Sequence, residues 1–196
     1  MLPQFQAVGR ALFTQGLVSC HSGNLSIKLG EHLLITRRGS TLSSIGEADL
    51  VKTGIARNDR ATPLASTELE VHRSIYKKTS AMAIVHAHPP YAVTLSFTEK
   101  EIIPCDMEGR ALLPKVPILG KQVTVKAGDL AEEISEALKQ HQVVLVQGHG
   151  TFAVGQLLEE AHYYSSILEQ NCRLLYLLKS LRMEPNASIP SVSTEG

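Results

Sequence analysis

The chain has 196 residues, 43% of them hydrophobic and 19% charged, enough for one globular domain that encloses its own core and a site. Nineteen Lys and Arg balance nineteen Asp and Glu without a basic block, so the electrostatic footprint of a nucleic-acid binder is missing. Cys20, Cys105 and Cys172 are odd in number and far apart, which argues against a disulfide framework and for a reducing, cytoplasmic setting.

Phe5, Val8 and Leu12 recur at three- and four-residue spacing, which predicts an amphipathic helix over about residues 4 to 15, ended by Gly16. Leu17-Val18-Ser19-Cys20 looks a little like a lipoprotein cleavage site, but Gln4, Gln6, Arg10 and Gln15 interrupt the apolar core such a leader needs. No stretch approaches the roughly 20 apolar residues of a membrane span, so no membrane partner is expected. From Asn24 the period drops to two. Leu25, Ile27 and Leu29 alternate with polar residues, Gly30-Glu31 can turn, and residues 33–36 return as a second strand. The loop-rich stretch that follows is expected to hold short strands near residues 50–52 and 54–57.

Thr67-Glu68-Leu69-Glu70 fits a capping box, in which the Thr hydroxyl and the Glu three residues later satisfy free backbone donors. A helix to about Lys78 follows, with Glu68 at its first position. Residues 83–87 read as a buried strand, 90–97 as a short helix and 116–119 as a strand. Residues 128–140 read as a helix with Leu130, Ile134 and Leu138 on one face, 143–146 as a strand buried on both sides, and 157–181 as a long helix. Residues 183–196, with Pro185, Pro190 and several serines, read as a mobile tail. The mixture predicts an α/β domain in which helices flank a sheet.

Ile84-Val85-His86-Ala87-His88-Pro89 carries the most chemistry. Residues two apart on a strand point the same way, about 6 to 7 Å apart along it, and bonds of ~2.0–2.1 Å let both imidazoles reach one ion. A third ligand belongs on a tight turn, and Gln147-Gly148-His149-Gly150 offers one between glycines that permit close approach. Singly, each histidine reads as an ordinary core or loop residue. Together they differ, because a His-x-His on an apolar strand needs a metal or a polar network to be satisfied.

A catalytic zinc also needs an exchangeable position or a displaceable ligand. Glu68, at a helix start where the dipole favours negative charge, suits a carboxylate that is both metal ligand and acid/base. The capping box accounts for Glu70, and His72, one turn after Glu68 on the same face, is a rival ligand. Gly23-Asn24-Leu25-Ser26 and Arg37-Arg38-Gly39-Ser40-Thr41 are turns whose amides, hydroxyls and guanidinium groups suit a phosphate dianion; equally, they read as a strand-entry turn and an exposed basic loop.

Taken together, Gly23-Asn24-Leu25-Ser26, Ile35-Thr36 with Gly39, Ser66-Thr67-Glu68, His86-Ala87-His88 and Gly148-His149-Gly150 resemble the class II aldolase/adducin family over about residues 5 to 180. The resemblance implies a three-layer α/β/α fold around a mostly antiparallel sheet, a single catalytic domain over residues 1–182, and a homotetramer with interfacial active sites. It implies zinc on His86, His88 and His149, with Glu68 as fourth ligand and acid/base, and a phosphate site made by Asn24, Gly39, Ser66 and Thr67. The implied reaction splits a ketose 1-phosphate, such as fuculose 1-phosphate or a deoxypentulose phosphate, into dihydroxyacetone phosphate and an aldehyde.

Two positions depart from the family pattern: Arg38 stands where a threonine is expected in the phosphate turn, and Glu108 where a tyrosine acts across the interface. Arg38 joins the phosphate candidates, and Glu108 becomes a candidate catalytic acid whose alternative is a solvated loop residue. Dehydration of methylthioribulose 1-phosphate and epimerisation of a pentulose phosphate are rival activities within the family. An aspartate in place of Glu68 would fit the epimerase better. Adducin-type binding modules lack the histidine trio, which this chain retains.

Overall fold

The protein is described by a computed structural model covering residues 1–120 and 127–182. Its elements follow in the order α1 (Leu2–Thr14), β1 (Asn24–Leu29), β2 (His32–Thr36), β3 (Leu50–Gly54), α2 (Leu69–Lys78), β4 (Ala83–Ala87) and α3 (Pro90–Ser96). The second half continues with β5 (Glu101–Ile102), α4 (Met107–Leu112), β6 (Val116–Leu119), α5 (Ala127–Ala137), β7 (Val143–Val146), β8 (Gly150–Gly155) and α6 (Leu158–Ser180). The strands form one eight-stranded sheet in the order β3-β2-β1-β4-β8-β7-β6-β5. Neighbours run antiparallel except β6 and β7.

The alternation of strand side chains divides the core in two. On β4, Ala83, Val85 and Ala87 enter a cluster with Phe5, Val8 and Leu12 of α1 and with α3 and α6, while Ile84 joins a second cluster with α2 and α5. The result is the expected α/β/α layering. Each large aliphatic side chain sealed in these clusters contributes about 1.5–3 kcal/mol relative to exposure.

The predicted first helix, hairpin and buried strands all form, and Gly16 ends α1 at φ +71°. Three expectations need correction. The stretch 50–57 holds one strand, Leu50–Gly54, because after Gly54 the chain turns to present the Arg57 carbonyl to Arg73. The capping box does not form: Glu68 is the N-cap without a side-chain cap bond, Ser66 Oγ accepts the Glu68 amide (3.2 Å), and Glu70 pairs with Arg73 (2.7 Å). Three elements, β5, α4 and β8, were not foreseen, and of these β8 borders the site. The tail expected over 183–196 lies outside the described residues.

Candidate metal centre and its pocket

β4 ends at the sheet's centre, flanked by β1 and β8, and delivers His86 on the face shared with Ile84, while His88 follows in the same parity. His86 is 1% exposed. Its Nδ1–H donates to the Thr151 carbonyl (2.9 Å) and its ring stacks on Phe152 (centroids 4.2 Å apart, 19° between planes). That bond assigns the proton to Nδ1 and leaves Nε2 as a lone pair, the arrangement in which a second partner orients a ligating histidine. This lone pair is 2.9 Å from Nε2 of His88.

His149 arrives from the β7–β8 turn. Gly148 takes φ +67°, and a Cβ on Gly150 would lie 2.2 Å from the Ala87 carbonyl oxygen, so the turn presses against β4 only because both flanking residues are glycine. The three imidazole centroids stand 4.7, 5.0 and 5.1 Å apart, and one ring nitrogen from each lies within 4.8 Å of the others. Bonds of ~2.0–2.1 Å at a tetrahedral angle put nitrogens about 3.4 Å apart, so small ring rotations suffice to share an ion. The Glu68 carboxylate lies 3.7 Å from His149 Nε2. Three imidazoles and a carboxylate are a donor set that fits zinc.

Electrostatics agree with that fit. Burial, followed by the proximity of His88 and His149, holds His86 well below the ordinary imidazole range. Burial and then His149 bring His88 down to about 4. Both are therefore neutral, lone-pair-bearing groups near pH 7.

The trio and Glu68 form one wall of a pocket of about 200 Å³. Asn24, Arg38, Gly39, Ser66 and Thr67 complete it, so the structure brings every predicted phosphate candidate to the same place. Asn24 is buried, and its Oδ1 has no hydrogen-bond partner among the described residues. Gly23, at φ +78°, lets the chain pass His86: a Cβ there would sit 2.8 Å from the His86 carbonyl oxygen. His21 and Ser22 also line the pocket and were not foreseen; the only signal was their place just before Gly23-Asn24. A larger groove of about 630 Å³ shares Thr67, Glu68 and His149 and runs between α2 and α5 past Val71 and Ala131.

Two candidates lie apart from this pocket. Glu108 is exposed in the first turn of α4, where it accepts the Tyr163 hydroxyl, and within one chain it does not reach the histidines. His72 is not among the converging ligands: its ring packs edge-on against Phe152 outside the trio, and its Nδ1 meets Ser26 Oγ at 2.6 Å.

Burial brings His72 down to about 3 from an ordinary 6.5. The folded state thus resists protonating it, and the stabilisation is complete above about pH 6.5 and shrinks as pH falls toward 3. At pH 5 the loss is about 2 kcal/mol from this residue, and His86 acts in the same direction. The metal-free protein is expected to melt at a markedly lower temperature at pH 5 than at pH 7, with a smaller drop in His72→Leu. Thermal unfolding followed by circular dichroism checks this, and a flat profile would contradict it.

The profile of the Class II Aldolase and Adducin N-terminal domain matches residues 4–176. L-fuculose phosphate aldolase of Methanocaldococcus jannaschii is 29% identical over 176 residues, covering 89% of this chain and 94% of that protein. A 3-oxo-tetronate 4-phosphate decarboxylase of Escherichia coli is 25% identical over 183 residues, covering 87% and 84%. Among solved structures, l-fuculose-1-phosphate aldolase from Thermus thermophilus superposes with a TM-score of 0.86 at 35% identity, over 97% of this chain and 98% of that one.

Proposed function

The chain belongs to the class II aldolase and adducin family, and from that premise we propose that it makes or breaks a carbon–carbon bond in a small ketose 1-phosphate, with zinc on His86, His88 and His149. The observation that carries this reading is three imidazoles and a carboxylate converging in one pocket with a basic, small-residue turn. An adducin-like binding module would need none of them.

Zinc bound there would act as a Lewis acid on the substrate carbonyl and steady the negative charge left when the bond breaks. The protein's own groups do the rest. The Arg38 guanidinium, the Gly39 turn, the Ser66 and Thr67 hydroxyls and the Asn24 amide hold the phosphate dianion. Glu68 takes the proton from, or returns it to, the carbon that bonds the aldehyde, giving dihydroxyacetone phosphate on cleavage. The groove between α2 and α5 lies beyond Glu68 and suits the aldehyde's chain, with Val71, Leu130 and Ala131 for its carbons and Glu70, Lys77, Lys78 and Glu132 for its hydroxyls. Glu108, paired with Tyr163, would serve as an acid only from a neighbouring copy, in keeping with a homotetramer whose sites lie at interfaces.

Incubation with fuculose 1-phosphate and deoxypentulose phosphates, with products identified by mass spectrometry, tests the reading. Dihydroxyacetone phosphate is the expected product, lost on adding a chelator. A diketone phosphate would reassign the chain to the dehydratases, and carbon dioxide from an oxo-acid phosphate to the decarboxylases. Arg38→Ala is expected to raise KM for the phosphorylated ketose roughly 10- to 100-fold, the worth of a charged hydrogen bond of about 1.5–3 kcal/mol, without changing zinc affinity. Steady-state kinetics beside a zinc titration separates the two effects.

A further inference from the structure

A buried polar chain lies behind the metal histidines, and neither the ligand set nor the phosphate pocket uses it. His72 Nδ1 is 2.6 Å from Ser26 Oγ, which is 2.7 Å from the Tyr76 hydroxyl, and all three side chains are buried. If Tyr76 donates to Ser26 and Ser26 to His72, every hydroxyl proton is used and His72 carries its own proton on Nε2. That Nε2 has no hydrogen-bond partner among the described residues. A buried unpaired donor costs stability, and leucine, alanine and phenylalanine at these positions would remove the cost altogether. Stability alone therefore does not account for the arrangement.

The topology indicates what it locates. Ser26 lies on β1 opposite Ile84 of β4, and two residues earlier Asn24 lies opposite His86. His72 and Tyr76 sit one turn apart on α2, and the His72 amide donates to the Glu68 carbonyl (3.2 Å). Lys28 Nζ donates to the Tyr76 carbonyl (3.0 Å), so β1 grips the helix at two points on one face. Elsewhere on the helix, Arg73 donates to the Gly54 and Arg57 carbonyls and to Asn58 Oδ1. The His72 ring also meets the edge or face of Phe152, which stacks on His86. A hydrogen-bonded clasp has a preferred distance and angle, whereas an apolar contact lets a helix slide, and metal geometry tolerates only about 0.5 Å of misplacement.

We propose that the Ser26–His72–Tyr76 chain is a positioning device that sets the reach of Glu68 toward the ion held by His86, His88 and His149. It rests on the metal reading above. Co²⁺ is the probe, because its visible spectrum reports its ligand set. The full-length protein, Glu68→Gln, the Ser26→Ala/His72→Leu/Tyr76→Phe triple variant and their combination are titrated with Co²⁺. Glu68→Gln is expected to weaken binding at least tenfold in the parent and less than twofold in the triple background, whose spectrum should already resemble that of Glu68→Gln. His72→Asn, which keeps a polar atom near the Nδ1 position, should restore the full Glu68→Gln loss, whereas His72→Leu should not. These single variants serve the same comparison if the triple variant does not fold. Equal Glu68→Gln losses in every background overturn the positioning role while leaving the metal site standing. Failure of the parent to bind Co²⁺ removes the metal reading, and this proposal with it.

Discussion

Replacing His86 with alanine is expected to weaken zinc binding roughly 10²- to 10³-fold and to abolish turnover at ordinary metal concentrations. The magnitude follows from sharing about 10–16 kcal/mol of zinc binding among four ligands, or roughly 2.5–4 kcal/mol each. His86 should show the effect more cleanly than its neighbours. It is 1% exposed, its Nδ1 is committed to the Thr151 carbonyl and Phe152 fixes its ring, so its Nε2 is held in place and water has poor access to the position it leaves. His149 is 34% exposed on a turn, and water can occupy its place. His149→Ala should therefore retain measurably more zinc than His86→Ala. Competition against a chromophoric chelator measures both constants, and parental affinity in His86→Ala would mean that the ion binds elsewhere.

The convergence of His86, His88 and His149 was legible because its signals are local. Strand parity puts His86 and His88 on one side whatever the rest of the chain does, and glycines at 148 and 150 mark a turn that can approach a strand closely. The strands at 83–87, 116–119 and 143–146 were legible for a similar reason, being short apolar runs between clear breaks. The strand that completes the site was not. Gly150–Gly155 is buried almost throughout, so it shows no alternation, and glycine at both ends reads as loop. Only its pairing with Ala83–Ala87 and Val143–Val146 makes it a strand. The helix at Met107–Leu112 has a start signal, Asp106 accepting the Gly109 amide at 2.6 Å, but six residues are too few for periodicity to register.

The role of His72 illustrates a different limit. A histidine one turn from a candidate carboxylate reads as a ligand or as a core residue, and no pattern chooses between them. The choice depends on residues far away in sequence: Phe152, against which the ring packs, and Ser26, 46 positions away, which meets its Nδ1, while the converging trio forms without it. The misread capping box has a comparable cause. Thr67 and Glu70 have the right spacing, but Ser66 Oγ satisfies the Glu68 amide and Arg73 draws Glu70 outward. Glu68 is the N-cap instead, and its carboxylate makes no bond to the helix end and faces His149.

That uncommitted carboxylate leads to the second large expectation: Glu68→Gln should lower kcat by roughly 10²- to 10⁴-fold, the range associated with a positioned general acid or base. The amide preserves the shape of the side chain but can neither take nor return a proton at carbon. Metal affinity alone would not reveal this, because a weakened ligand and a missing base both reduce turnover. Solvent exchange separates them. With zinc held saturating and no aldehyde present, the parent should exchange one carbon-bound hydrogen of dihydroxyacetone phosphate for deuterium from heavy water, observed by NMR. Glu68→Gln should not, even though it binds the same ligand. Glu68→Asp, shorter by one methylene, should retain slow exchange, since the chemistry survives while the reach is wrong. Exchange by Glu68→Gln at the parental rate would transfer the proton to another group, and the remaining role of Glu68 would be to hold the metal.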